Sequence, residues 1–372
     1  MNKSQSKPGR IEEINFLRGF GVLAVIAIHT TGYFTEIKSF NTLVLLNLWT
    51  DIFSQFAVPM FILISGFVLA KNYRFNISLK GFYQKRMHSI IPQYLIFSVA
   101  YTIFNNWIVM QSNPLASNIK LILKNILHSD ASYHLWFFSI IIQFYIFYPI
   151  ILKVYTFFER KGREELLIAL LLLIQTLCMV GMHTRFFSGI KINFIDYLFY
   201  FGVGIYMSNR LDRLKKSSSL LTPFLLIASL ALTVGASFFI IIGLTTGYSY
   251  NSIPAYFLIG PELIYPFLRI STFLLFFNIS CSLVGKRSVL AKVIYKIGNY
   301  SFGIYLIHIF FNQNAIKILK NHHIDYANWV FYLSVYAITV VLSYVAVRLI
   351  SFIPYSYYII GSQTKKRSIQ KI

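Results

Sequence analysis

The sequence predicts an all-α, polytopic membrane protein of about ten transmembrane helices with both termini in the cytoplasm. Two observations carry this reading. The 372-residue chain is 56% hydrophobic and only 12% charged, with a mean hydropathy of +0.62, whereas soluble domains typically carry about 25% charged residues. Its apolar residues also gather in runs of about 20, the length that crosses a hydrocarbon core.

The runs lie near 14–34, 48–70, 89–110, 132–154, 165–183, 190–208, 220–243, 260–284, 293–313 and 328–353. The third is weakened by Pro92 and the polar pair in "FNNW", and the sixth carries Asp196. Between them, the longest loop is "QSNPLASNIKLILKNILHSDAS", where Ile119, Ile122, Leu123 and Ile126 recur at helical spacing and predict a short helix on the membrane surface.

Charge orients the spans. Lys and Arg outnumber Asp and Glu by 34 to 12, for a net charge of +22. A surplus of that size can mark a nucleic-acid binder, but here it falls in short clusters between apolar runs and not on one basic face, so no nucleic-acid partner is expected. The clusters occupy alternate loops. One set holds Lys3, Lys7 and Arg10; Lys71, Arg74, Lys80, Lys85 and Arg86; Lys153, Arg160, Lys161 and Arg163; Arg210, Arg213, Lys215 and Lys216; Lys286, Arg287, Lys292 and Lys296; and the C-terminal Lys365, Lys366, Arg367 and Lys371. The other set has only Lys38, Lys120, Lys124, Arg185, Lys191, Lys317 and Lys320. The positive-inside rule assigns the rich set to the cytoplasm.

Residues 1–13 then read as a retained cytoplasmic tail, 14–353 as one transmembrane domain, and 354–372 as a basic cytoplasmic tail. Cys178 and Cys281 sit inside apolar runs and read as packing residues, not a disulfide. There is no solenoid period and no nucleotide-binding glycine pattern. Function therefore falls to the polar residues inside the spans, each of which costs a few kcal/mol to insert.

Several of these have ordinary structural readings. Arg348 lies close enough to the inner end of the last span to snorkel. Arg269 and Glu262, seven residues apart, share a helix face and read at least as readily as a structural ion pair, with each other or with a neighbour, as residues with a role in chemistry. Asp196 reads equally as a hydrogen-bonded core carboxyl or as a catalytic one. The first span is sharper. Arg18 and His29 are eleven residues apart in "RGFGVLAVIAIH", which puts both on one face about 16 Å apart along the axis. Gly19, Gly21, Ala24 and Ala27 lie between them and permit close approach of a helix or a ligand.

Four further segments stand out. "VPMFILISGFVLA" carries Ser65 and Gly66 after Pro59; "YQKRMHSIIPQY" carries Lys85, Arg86 and His88 before Pro92; "SYHLWFF" carries His134 and Trp136; "GNYSFGIYLIHIFF" carries Tyr305 and His308. On the topology above, His29, His134 and His308 share the outer half of the membrane. Zinc accepts three imidazoles, but no pair here has i, i+4 spacing and His322–His323 is a loop pair, so no metal is expected.

In this order the segments resemble the membrane acyltransferase type 3 family, and the resemblance covers nearly the whole chain. Its most specific element is an Arg, ten residues, then a His, which Arg18 and His29 reproduce. The other elements are Ser65-Gly66-Phe67, Arg86 before Pro92, "HLWF" from His134 with Tyr148 and Pro149 following, and "YSFGIYLIH" ending in His308. Two departures are visible. Ser89 stands where many members have a second Arg, and Ile141 and Ile142 replace the glutamates of a Glu-Glu-Gln-Phe-Tyr motif, so no mechanism can use that glutamate.

The resemblance implies a bacterial plasma-membrane enzyme that moves an acetyl or succinyl group from cytosolic acyl-CoA to a hydroxyl of an extracytoplasmic glycan or lipid-linked saccharide. Acyl-CoA would be a substrate, with no bound cofactor; membrane lipids and the surface polysaccharide would be the other partners. His29 and Arg18 would be catalytic, and Arg86, Lys85, Ser65 and Gly66 would lie on the donor side. His134, Trp136, His308 and Tyr305 would lie on the acceptor side or in support. The rival classes are a transporter or flippase of a glycan or lipid, for which no repeated halves are visible, and a non-catalytic subunit of a glycan synthase. The charge pattern makes a direct prediction: green fluorescent protein fused after Ile372 fluoresces, whereas alkaline phosphatase fused there stays inactive.

Overall fold

A computed structural model describes residues 11–37, 39–74, 77–183, 193–248 and 252–361, with backbone only for 217–220. The basic residues of 1–10 and 362–372, together with Lys38, Arg185 and Lys191, lie outside the described residues. Thirteen α-helices and two 3-10 turns make up the described chain, with no strand among the described residues. The protein is an all-α polytopic membrane protein.

The helices are α1 (Glu12–Thr31), α2 (Thr42–Ser54), α3 (Ala57–Tyr73), α4 (Leu79–Ser112), α5 (Leu115–His128), α6 (Trp136–Arg160), α7 (Glu164–Met182), α8 (Leu198–Ser208), α9 (Leu211–Thr245), α10 (Ala255–Leu283), α11 (Val289–Asn321), α12 (Trp329–Ile350) and α13 (Tyr357–Ile360). Their starts follow from local chemistry. Asn41, Ser78 and Asn328 cap α2, α4 and α12 by accepting from backbone N–H groups two or three residues on. Glu12 and Glu13 sit in the first turn of α1, where the helix dipole favours them, and Lys215 Nζ meets buried Glu13 at 2.7 Å. Pro59 lies in the first turn of α3, where its missing N–H has no intrahelical partner to lose.

Eight described segments are long and apolar enough to cross a membrane, α2 and α3 together forming one of them. They match eight of the ten expected runs, and the other two take a different form. The run at 190–208 is outside the described residues to 192, then becomes a 3-10 turn, Phe194–Tyr197, and the eleven-residue α8. The run at 293–313 forms the 33-residue α11, which is ample in length but too polar to count on hydropathy. Ser301, His308 and Asn312 of α11 are buried by protein, so they need not be compatible with lipid.

The third span, weakened in sequence by Pro92 and the polar pair of "FNNW", is kinked at that pair. Asn106 leaves helical geometry inside α4 (φ −121°, ψ 18°), and its side-chain Nδ2 donates back to Thr102 O at 2.9 Å. The surface helix is present as α5, none of whose residues is buried; Leu115, Ile119, Leu123 and Leu127 form an exposed row at four-residue spacing. Asp196 is a capping group. Its carboxylate accepts from Asn193 N at 2.8 Å.

Glycines set two close helix pairs. A Cβ on Gly19 would strike the Ile294 carbonyl, and one on Gly298 would strike the Asn15 carbonyl, so α1 and α11 touch backbone to backbone. Asn15 Nδ2 donates to Tyr295 O at 2.8 Å and Asn312 Nδ2 to Thr30 Oγ1 at 3.3 Å, which makes the two helices parallel. Gly66 and Gly204 do the same for α3 and α8, lying against the backbones of Phe201 and Leu63. Such contacts suit a membrane bundle, where packing and not water exclusion drives association. Gly298→Ala is expected to destabilise the protein by about 1–3 kcal/mol, measured as a lower midpoint of thermal unfolding in detergent.

Candidate active site

The α1–α11 contact decides where the polar face of α1 looks. Arg18 opens into a cavity of ≈ 330 Å³ that is also lined by Ser65 of α3, Arg86 and Ser89 of α4, Phe137, Phe138, Ile141 and Tyr145 of α6, and Asn299, Ser301, Phe302 and Tyr305 of α11. Tyr357, Ile360 and Gly361 close one side. They are held there by Gln93 Nε2, which donates to Tyr357 O at 2.8 Å, and by the packing of Gly361 on Phe302.

The cavity is built for negative charge. Arg18 and Arg86 line it, and no Asp or Glu among the described residues does. Arg86 Nη2 donates to Tyr73 OH at 3.1 Å, while its guanidinium lies 5.3, 5.6 and 5.9 Å from the ring centres of Tyr73, Tyr145 and Phe82. Ring faces hold the cation without neutralising it. Arg86 Nε is buried and has no hydrogen-bond partner, which leaves donor capacity for an anion.

At Tyr305 the cavity meets a cluster of imidazoles. The Tyr305 ring lies 5.5 Å from that of His134 and 5.7 Å from that of His308, and its hydroxyl donates to the main-chain carbonyl of His134. His308 lies between the other two histidines, 5.2 Å from His29 and 5.3 Å from His134. Tyr133 packs edge-on against His29 at 4.9 Å and Tyr101 against His134 at 5.1 Å. Ser132 Oγ lies 3.0 Å from His134 Nδ1, and His308 Nδ1 lies 2.6 Å from Tyr305 O. No group of three or more His, Cys, Asp or Glu among the described residues has the geometry to hold a metal ion.

A sequence model of the acyltransferase domain family matches residues 11–348. The chain belongs to the membrane acyltransferase type 3 family. The match takes in every helix of the cavity except α13. The chain is also 28% identical over 137 residues to an amino-acid racemase of Enterococcus faecalis. That stretch is 37% of this chain and 17% of that protein, so the chain spans about a sixth of the relative's length. No solved structure matches.

In this member of the family, seven of the ten expected site residues converge: Arg18, Ser65, Arg86 and Tyr305 line the cavity, His134 and His308 adjoin Tyr305, and His29 adjoins His308. Three do not. Gly66 faces α8, where its lack of a side chain admits the Phe201 backbone. Lys85 is exposed with Nζ 5.9 Å from the Tyr73 ring, because consecutive helical residues diverge by about 100° and Arg86 takes the inward direction. Trp136 stacks on Tyr197 at 5.9 Å and does not line the cavity.

Other span residues find partners away from the site. Glu262 pairs with His183 Nε2 at 3.2 Å, and Arg269 donates to Gln55 Oε1 at 3.2 Å while lying over the Tyr265 ring. Arg348 reaches Tyr300 OH at 3.1 Å. Sequence reasoning missed Asn299, Ser301, Tyr145 and the α13 wall, although "GNYSFG" carried a signal in its cluster of small and polar residues within a span. With coenzyme A as a probe, Arg86→Gln is expected to weaken binding about 10- to 100-fold, the loss of a charged hydrogen bond; Lys85→Ala leaves it unchanged, both read by isothermal titration in detergent.

Proposed function

We propose that this protein is a membrane O-acyltransferase that moves an acyl group from cytosolic acyl-CoA to a hydroxyl of an extracytoplasmic glycan or lipid-linked saccharide, in the bacterial plasma membrane. The observation that supports this most is a cavity that carries two arginines, no carboxylate among the described residues and, at Tyr305, a contact with His134 and with His308, which in turn meets His29. Guanidinium groups suit the phosphates and thioester carbonyl of an acyl-CoA, which they can hold by charged hydrogen bonds. Imidazoles suit proton transfer near neutral pH.

Arg18 and His29 are the ends of the path, about 16 Å apart along α1, a distance suited to a donor that enters on one side of the bilayer and an acceptor on the other. In the transfer, the acceptor oxygen bonds to the acyl carbon and the carbon–sulfur bond breaks. The hydroxyl proton leaves through an imidazole and is returned to the coenzyme A thiolate. His29 serves this step either as proton acceptor or as a transient acyl carrier. The cavity walls of Phe137, Phe138, Ile141 and Phe302 exclude water from the thioester.

The test follows labelled acyl groups from acyl-CoA to saccharide in membrane vesicles. His29→Ala is expected to lower transfer about 10²- to 10⁴-fold, and Arg18→Ala to raise the donor KM about 10- to 100-fold. Full acylation in both variants would sink the proposal, and loss of glycan export with acylation intact in lysate would favour the transporter.

A further inference from the structure

His308 carries an unexplained atom. It is fully buried in α11, and its Nε2 has no hydrogen-bond partner in the protein. A buried polar atom left unpaired costs about 1–3 kcal/mol, and native proteins keep few of them. The other ring nitrogen explains which proton is missing. Nδ1 lies 2.6 Å from the main-chain carbonyl of Tyr305; a carbonyl only accepts, so in the neutral ring Nδ1 carries the hydrogen and Nε2 is a bare lone pair. His134 is not constrained in this way, because its Nδ1 partner is the Ser132 hydroxyl, which can donate or accept.

The lone pair stands where the reaction needs one. His308 lies between His29 and His134, with its ring 5.7 Å from that of Tyr305, which lines the cavity. We propose that His308 Nε2 is the general base that binds and deprotonates the acceptor hydroxyl, leaving His29 to act on the acyl group. This rests on the acyltransferase reading and deepens it, by moving to His308 the proton-acceptor role that was one of the two open to His29.

The proton balance is closed within the site. The hydroxyl O–H bond breaks as the proton passes to His308 Nε2, the oxygen forms its bond to the acyl carbon, and the acyl carbon loses its bond to the leaving group. With direct transfer that group is the coenzyme A thiolate, which takes up the proton from the His308 imidazolium. With an acyl-His29 intermediate, a His29 nitrogen first bonds to the acyl carbon as the carbon–sulfur bond breaks and the ring's N–H proton passes to the coenzyme A thiolate; in the second step the His29 nitrogen is the leaving group and takes up the proton from the His308 imidazolium. In both cases Tyr305 O stabilises the imidazolium through Nδ1–H, as a carboxylate does in a hydrolase triad. The helix supplies this acceptor from its own backbone three residues earlier, so no acidic residue is required.

The test uses the full-length protein in membranes that contain the unmodified saccharide, with labelled acetyl-CoA as donor. His308→Gln keeps an N–H that can reach the Tyr305 carbonyl but has no basic nitrogen. Its expected behaviour is an acetyl-CoA affinity close to wild type, with transfer reduced about 10²- to 10⁴-fold. The loss falls in kcat with the acceptor KM little changed, and added imidazole restores part of the transfer in His308→Ala. Transfer by His308→Gln within about threefold of wild type overturns the proposal. So does a parallel loss of acetyl-CoA binding, which would make His308 a structural residue. Absence of transfer by the wild-type protein with any acyl-CoA is a different result, since it overturns the acyltransferase reading as a whole.

Discussion

The backbone contact between α1 and α11 is the constraint on which the rest of the site depends. Gly19 and Gly298 remove the two side chains that would otherwise hold the helices apart. With the axes that close and parallel, Arg18 faces the cavity beside Asn299 and Ser301, and eleven residues later His29 meets His308. Two hydrogen bonds fix the register, Asn15 to Tyr295 and Asn312 to Thr30, one at each end of the contact. A slip of one residue would turn these side chains by about 100° and separate both pairs. In a bilayer, where lipid competes equally for apolar side chains, this kind of steric fit is what makes a helix pair specific.

The cavity shows how cations are kept usable inside a membrane. Arg269, Arg348 and Arg74 are each engaged by a hydrogen-bonding group, from Gln55, Tyr300 and Glu159. Arg86 is instead flanked by rings and one phenol, with Nε unpaired. A carboxylate there would quench the charge that an anionic ligand needs, and none among the described residues lines the cavity. The imidazole end follows a related logic: Tyr101, Tyr133, Tyr305 and Ser132 surround the histidines with neutral groups, so the rings are oriented without a fixed charge nearby.

Much of this was legible before any coordinates. The eight long apolar helices and the helix α5 announce themselves through length and period, whereas the kink at Asn106 of α4 shows only in the structure. The two runs that behaved differently were those in which hydropathy reports something other than lipid exposure. The α11 run is polar because protein and not lipid surrounds it, and α8 is short because Asn193 and Asp196 start it late with a 3-10 turn. Of the motif residues, Arg18, Arg86 and Tyr305 come to the cavity and His29, His134 and His308 to the cluster beside it, whereas Gly66, Lys85 and Trp136, neighbours in the chain of residues that face them, point elsewhere.

By itself the sequence determined the membrane class, the sidedness expected from its basic loops and the family, because each of these is written in local composition and in the order of short motifs. Only the tertiary structure decided that the arginines share one cavity, that Tyr305 joins this cavity to the histidines, and which nitrogen of His308 is bare. Those facts depend on side-chain direction and on contacts between residues such as His29 and His308, which lie far apart in the chain. No local pattern encodes them, because the helix register that brings them together is set by glycines fitting against a distant backbone.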